Sequence, residues 1–259
     1  MSTEVHEVTE LITPGPAQAL AGLLGVPAAG EELPLLWHWV YLLDRPPQDA
    51  LRPDGHQARG GMPVPPAPGL RRMFAGGRVW RHGVLRIGSE ATRRTWQASS
   101  ARKQGRSGPL VFVTVRTEVS QGSQVVITEE QDLVYREPGA DNPARSGPSV
   151  AAAGRDRSVT VDPVLLFRFS ALTYNAHRIH YDREYARGEG YPGLVVHGPL
   201  QALLMAGQAR PVGSEYSYRL VAPLYEDQGM IVSAAPDGDA VRVSCRDTTD
   251  RVTAVGLIS

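Results

Sequence analysis

Three histidines and one glycine concentrate the potential chemistry of this chain. In Phe167–Gln201, FRFSALTYNAHRIHYDREYARGEGYPGLVVHGPLQ, the pair His177 and His180 follows a predicted helix, and His197-Gly198 stands at the mouth of a second one. An imidazole can move a proton near neutral pH. A backbone N–H at a helix N-terminus can hold an oxygen that becomes negative. Those are the two groups that chemistry beside a carbonyl requires.

The elements that must position them are legible around the motif. Asp162-Pro163 reads as an N-cap followed by proline at the first helical position. Leu165, Phe169 and Leu172 then recur at i, i+4 and i+7, marking one buried helical face that leads into the histidine pair. Asp182 is expected to cap a short helix, Arg183–Arg187, ended near Gly188 and Gly190. Pro199 starts a longer helix through about Arg210, with Leu200, Leu203 and Leu204 on its apolar side. Strands are expected at Tyr216–Leu224, Met230–Ala235, Ala240–Arg246 and Val252–Ile258, with PDGD as a hairpin turn between the middle two.

The first half carries a weak amphipathic stretch, Ala17–Leu24, and an aromatic run, Leu33–Leu43, apolar nearly all round, which suits a buried helix, with a strand left open by periodicity alone. Asp44–Gly69, with repeated Pro and Gly, reads as an irregular loop. Strand-like runs follow near Gly77–Arg86, Glu90–Lys103, Leu110–Ser120 and Gln124–Arg136. Gly139–Arg157 has little to bury and reads as a linker. The expected division is therefore 15–138, linker 139–157 and 158–259. Each half should be an α+β unit in which a sheet wraps a helix.

Composition narrows the function classes. Net charge is zero, with pI near 7.1, so the basic excess that nucleic-acid binding needs is missing. Of 27 Lys+Arg residues only Lys103 is lysine, most simply a mark of GC-rich coding. The lone Cys245 sits in an alternating segment without a nucleophile's surroundings. No run approaches the ~20 apolar residues of a membrane span, and the acidic N-terminus lacks a signal-peptide pattern. A cytoplasmic protein without nucleic-acid or membrane partners is expected.

YNAHRIHYDREYA followed by GYPGLVVHGPLQALL resembles the hydratase motif of MaoC-like hot-dog proteins: Asp-x-Asn-Pro-x-His-x-Asp, then a Gly-rich turn and His-Gly before a central helix. The closer resemblance is to the hydroxyacyl-thioester dehydratase type 2 and mesaconyl-/itaconyl-CoA hydratase branch. PLLWHWVYLLD, GHQARGGMPVPP and RRMFAGGRVWRHGVLRIG look like that branch's first half. The resemblance implies a double hot-dog fold and addition or removal of water across a 2-enoyl thioester of coenzyme A or an acyl carrier protein. It implies no metal or redox cofactor, and a homodimer is compatible with it.

Carried over residue by residue, His180 takes the place of the catalytic histidine and Asn175 that of the catalytic aspartate. His177 stands where the wider family has asparagine, and Arg178 where it has proline. Gly198 takes the place of the glycine whose N–H binds the thioester oxygen. The amide at Asn175 can only exchange hydrogen bonds, which favours His180 as the single proton-transfer group. His177 either helps or orients, and His197 either braces the helix or joins the oxygen-binding site. Arg178 is a candidate clamp for a substrate carboxylate or for coenzyme A phosphates. A metal held by His177, His180, Asp182 and His197 is disfavoured, because the segment reads as a turn. His38 and His82 lack a Gly-helix partner, so the first half is given a structural and pocket-forming role. The rivals are a carrier-protein dehydratase, a thioesterase on the same fold and a non-catalytic acyl-binding protein.

Overall fold

The computed structural model describes residues 4–58, 61, 63, 66, 69–105, 108–137, 154–209 and 213–259. Most of the expected linker, 139–153, and the expected helix end at Arg210 lie outside them. Ten strands form one sheet: β1 (His6–Leu11), β2 (Arg71–Arg81), β3 (Glu90–Gly105), β4 (Gly108–Gln121), β5 (Gln124–Arg136), β6 (Arg155–Val159), β7 (Glu215–Leu220), β8 (Met230–Asp237), β9 (Ala240–Arg246) and β10 (Val252–Ile258). Their spatial order is β1-β3-β4-β5-β2-β7-β10-β9-β8-β6, and every pairing is antiparallel.

The order is symmetric. Counted from either edge, the five strands of each half come first, third, fourth, fifth and second in chain order. The two second strands, β2 and β7, meet at the centre from Gly76 opposite Arg219 to Trp80 opposite Glu215. The chain thus builds one unit twice and joins the copies along a ladder of backbone hydrogen bonds. Both edge strands escape the sequence reading. β1 precedes residue 15, and β6 begins within the stretch read as a linker. Each is short, polar and one-sided, so little apolar alternation announces it.

The helices break the symmetry. Between β6 and β7 run α2 (Pro163–Leu172), α3 (Arg183–Gly188) and α4 (Gly198–Gln208); among the described residues between β1 and β2 there is only α1 (Pro14–Leu24) with short 3-10 turns. Asp162 caps α2 by accepting from the Leu165 N–H at 2.7 Å, a contact that contributes about 1 kcal/mol. Leu166, Phe169 and Ser170 are its buried residues, with Leu165 and Leu172 packed at the margin of the core. Leu200, Leu203 and Leu204 of α4 are buried as expected, and Tyr216 of β7 is fully buried with its hydroxyl on the Ala202 carbonyl.

Leu33–Leu43 is buried but is not a long helix. It holds one 3-10 turn, Trp37–Val40, bracketed by left-handed residues Leu36 (φ 67°) and Leu42 (φ 54°). An apolar run without a polar face carries no periodicity to distinguish the two. The turn lets neighbouring side chains reach one buried carboxylate: His38 Nε2 and Trp39 Nε1 lie 3.0 and 2.9 Å from Glu129 Oε2. The helix of the first half, α1, starts after Thr13 rather than after a histidine and glycine, so among the described residues it does not repeat the His197-Gly198 corner. No helix among the described residues is long and apolar enough to cross a membrane.

Candidate active site

The corner begins where α2 ends. Thr173 Oγ1 donates back to the Phe169 carbonyl, and Tyr174 turns the chain through a left-handed φ of 51°. Asn175 Oδ1 then accepts the His177 N–H at 3.0 Å. A 3-10 turn, Arg178–His180, carries the imidazoles inward, and Asp182 caps α3 by accepting from the Tyr185 N–H. A loop of the first half docks against this turn. The Asp54 carbonyl accepts from the Arg178 N–H at 3.0 Å. Gly55, at φ +87°, lies so close that a Cβ there would stand 1.7 Å from the Ala176 oxygen. Only glycine fits, by conformation and by space.

That docking assembles four imidazoles. His180 is 7% exposed, and its Nδ1 lies 2.7 Å from the Val195 carbonyl oxygen. Because a carbonyl only accepts, Nδ1 carries the hydrogen and Nε2 keeps a free lone pair. The ring stacks on His197 (centroids 3.7 Å, 20° between planes) and meets the His177 ring at 5.5 Å and 89°. His177 in turn packs on His56, 3.9 Å away. His56 Nδ1 reaches Asp54 Oδ2 at 3.1 Å. His197 is fully buried. Its Nε2 shares a hydrogen bond with Ser170 Oγ at 2.9 Å, and its Nδ1 has no partner among the described residues.

Burial keeps all four rings neutral. It pushes His180 down to about 4, against the opposing pull of the Val195 carbonyl. Burial also holds His197 and His177 well below the usual imidazole range, reinforced by the neighbouring rings and, for His177, by Arg72. His56 is lowered by burial despite Asp54. Burial pushes the Asp54 carboxyl up, but the hydrogen bonds from the His56 side chain and backbone, with the Arg52 charge nearby, outweigh it and bring it to about 2. The unfolded chain, with ordinary histidines near 6.5, therefore takes up protons that the folded one refuses. Stability should be complete above about pH 6.5 and fall progressively as pH drops toward 4. Thermal melts at fixed ionic strength test this; a Tm unchanged between pH 7.5 and 5 would contradict the neutral cluster.

Gly198 opens α4 directly after the stacked His197. Its φ is not left-handed, so space alone dictates the residue: a Cβ would stand 2.1 Å from Leu220 Cδ1 and 3.0 Å from Phe74 Cδ1. The first amides of a helix have no partner within it, and Pro199 removes the next, leaving the Gly198 N–H available at the positive end of the helix dipole.

A cavity of about 230 Å³ opens onto this cluster, lined among others by Arg52, Asp54, His56, Arg72, His177 and Tyr185. His177 faces it directly, and His180 lies one ring further in. The structure thus brings together His177, His180, His197 and Gly198. Asn175 stands beside them with its side-chain oxygen committed to the turn. Arg178 departs from the expected clamp. Its Nε and Nη2 already hold Asp182 Oδ2 at 3.1 and 2.7 Å, and its guanidinium lies over the Tyr185 ring at 4.3 Å. Its Nη1 donates to the Pro53 carbonyl at 3.3 Å, and the side chain stays partly exposed at the surface. Asp54, His56 and Arg72 are the residues that the sequence reading passed over. The available signal was a histidine set among turn-forming residues in PDGHQ, but its partners lie in the other half of the chain.

The profile of the family described as hydroxyacyl-thioester dehydratase type 2 matches residues 36–226. The chain is 52% identical over 225 residues to a mesaconyl-C(4)-CoA hydratase of Chloroflexus aurantiacus, covering 84% of this chain and 80% of that protein. Its fold superposes on HtdX of Mycobacterium tuberculosis with a TM-score of 0.70 at 16% identity, over 98% of both chains. A second protein of that organism, with a double hotdog fold, superposes with a TM-score of 0.55 at 17% identity, over 99% of this chain and 95% of the other. These matches cover both halves and the joined sheet. The chain belongs to the hydroxyacyl-thioester dehydratase type 2 family of MaoC-like double hot-dog proteins, and it is a hydro-lyase of enoyl thioesters.

Proposed function

We propose that the chain hydrates a short dicarboxylic 2-enoyl-CoA of the mesaconyl-C(4)-CoA kind, with His180 as the base and Gly198 as the oxygen-binding amide. The observation that carries the reading is the fixed tautomer of His180, whose free Nε2 belongs to a neutral, buried ring stacked beside the first residues of α4. The substrate follows from the name of the 52% identical relative. A coenzyme A thioester is favoured over a carrier-protein thioester on the same ground.

In this reading the thioester oxygen accepts from the Gly198 N–H. Nε2 of His180 removes a proton from water as the oxygen forms its bond to C3. The C2=C3 electron pair moves toward the thioester oxygen, where the amide and the helix dipole stabilise the enolate. Protonation of C2 restores the carbonyl and completes the hydrated product. The proton can return from the His180 imidazolium. His56, whose Nδ1–H is held by Asp54 and whose Nε2 is therefore unprotonated, supports the cluster by packing on His177. It supplies from the first half the carboxylate–imidazole pair that Asn175 denies the motif. The base is ready at every pH well above about 4, so the acid limb of the rate should lie near that value rather than near 6.5.

A panel of crotonyl-, mesaconyl- and itaconyl-thioesters on coenzyme A and on a carrier protein tests the reading. Loss of enoyl absorbance without release of free thiol is expected, fastest with mesaconyl-CoA. Free thiol would mean a thioesterase, binding without turnover an acyl-binding protein, and preference for the carrier a dehydratase of chain assembly.

A further inference from the structure

Arg52, Arg71 and Arg72 all border the pocket, but their surroundings differ. Arg71 is spent: its Nε lies 2.6 Å from Glu189 Oε2, and its Nη1 donates to the Glu189 carbonyl. Arg72 is half-buried on β2, and among the described residues no carboxylate forms an ion pair with it. Asp54, the acid across the pocket, is held by both the side chain and the backbone N–H of His56. The polar side chain beside Arg72 is neutral, the Tyr135 hydroxyl, which itself donates to the Pro63 carbonyl at 2.7 Å. Burial makes the guanidinium a weaker base than usual, as befits a cation short of a counter-anion. It stays charged, because arginine does so throughout the working range.

The position of Arg72 fits a particular occupant. Arg72 opposes Tyr135 and Phe74 opposes Leu133 in an undisturbed stretch of ladder; the irregularity comes only after Phe74. Residues two apart share a face of the sheet, so Arg72 emerges beside Phe74, about 7 Å along the strand. Phe74, together with Leu220, abuts the Gly198 corner. A thioester whose oxygen lies on the Gly198 amide would therefore extend along this wall toward Arg72. In a C4 dicarboxylic chain the second carboxyl carbon is three bonds of about 1.5 Å from the thioester carbon, about 4 Å in a straight line. A guanidinium side chain covers the remaining gap, and its planar fork suits a carboxylate. The charge of Arg72 is also felt by both His56 and His177, the two imidazoles that line the same pocket.

We propose that Arg72 binds the second carboxylate of a dicarboxylic enoyl thioester and thereby sets the preference for such substrates over those ending in a methyl group. This rests on the hydratase reading above. The pairing would give the arginine its missing anion and bury the carboxylate without an unpaired charge, whereas a methyl-ended chain leaves the cation as it is.

The experiment measures kcat/KM of the full chain for mesaconyl and crotonyl thioesters, on coenzyme A and on phosphate-free pantetheine. Arg72→Gln should lower the mesaconyl-to-crotonyl ratio by about 10- to 100-fold, the range of a charge-assisted hydrogen-bond pair, with either carrier. Arg72→Lys keeps the charge and loses the fork, so it should lower the ratio severalfold; it also reads the same ratio if the glutamine variant does not fold. An unchanged ratio in a soluble variant overturns the proposal. A loss shared by both acyl groups on coenzyme A but absent on pantetheine also overturns it, and assigns Arg72 to the coenzyme phosphates. Failure of the wild-type protein to hydrate any thioester is a different result, because it removes the hydratase reading itself.

Discussion

His180→Ala is expected to lower turnover by about 10²- to 10⁴-fold, the usual contribution of a positioned proton-transfer group. The size follows from how the ring is held. Its Nδ1–H is fixed on the Val195 carbonyl, one face is stacked on His197 and the His177 ring meets it at a right angle, so Nε2 has one direction and one protonation state. Two of the neighbouring rings are otherwise engaged. Ser170 engages Nε2 of His197, and Asp54 engages Nδ1 of His56. His56→Ala should cost less than His180→Ala, because His56 supports His177 and carries no proton in the reaction. Single-turnover rates on one enoyl thioester, with a thermal melt to exclude unfolding, decide the matter. A His180→Ala protein within about threefold of the wild-type rate would remove His180 from the mechanism.

The second large effect should come from a single methyl group. Gly198→Ala places a Cβ where Leu220 and Phe74 already stand. Either those side chains move or the start of α4 does, and movement of the amide withdraws the donor from the thioester oxygen. Removal of one oxyanion donor costs about 10²–10³ in kcat, which sets the expected loss. KM should change less, because the donor matters most when charge develops. A double variant, Gly198→Ala with Leu220→Ala, vacates the nearer of the two obstacles and should recover part of the rate. Full activity of Gly198→Ala alone would show that this amide does not hold the oxygen.

Much of the second half was legible because its information is local. The Asp162 and Asp182 caps and the His197-Gly198 helix start each lie within a few residues of what they control, and the structure reproduces them. What stayed hidden depends on distant partners. His56 is one histidine in a Pro/Gly loop until Gly55 lets that loop lie against Ala176. Arg72 looks like any arginine in RRMF until the strand register sets it beside Phe74. Arg178 was misleading for the opposite reason. Asp182 four residues on is a natural ion-pair partner on a turning chain, and that local pairing claims the guanidinium. Leu33–Leu43 announced burial without announcing shape, since an all-apolar run satisfies a helix and a 3-10 turn equally.

The β2–β7 seam has a mechanical consequence. Many two-lobed enzymes admit substrate by hinging one lobe away from the other. Here the lobes share an unbroken ladder of backbone hydrogen bonds from Gly76 to Trp80, and the Arg178–Asp54 bond clamps them again at the reacting groups. A jaw-like opening would have to unzip the centre of the sheet. The traffic of thioester and product is therefore confined to the rim, past Arg52, Pro53 and Tyr185, with the frame beneath held still.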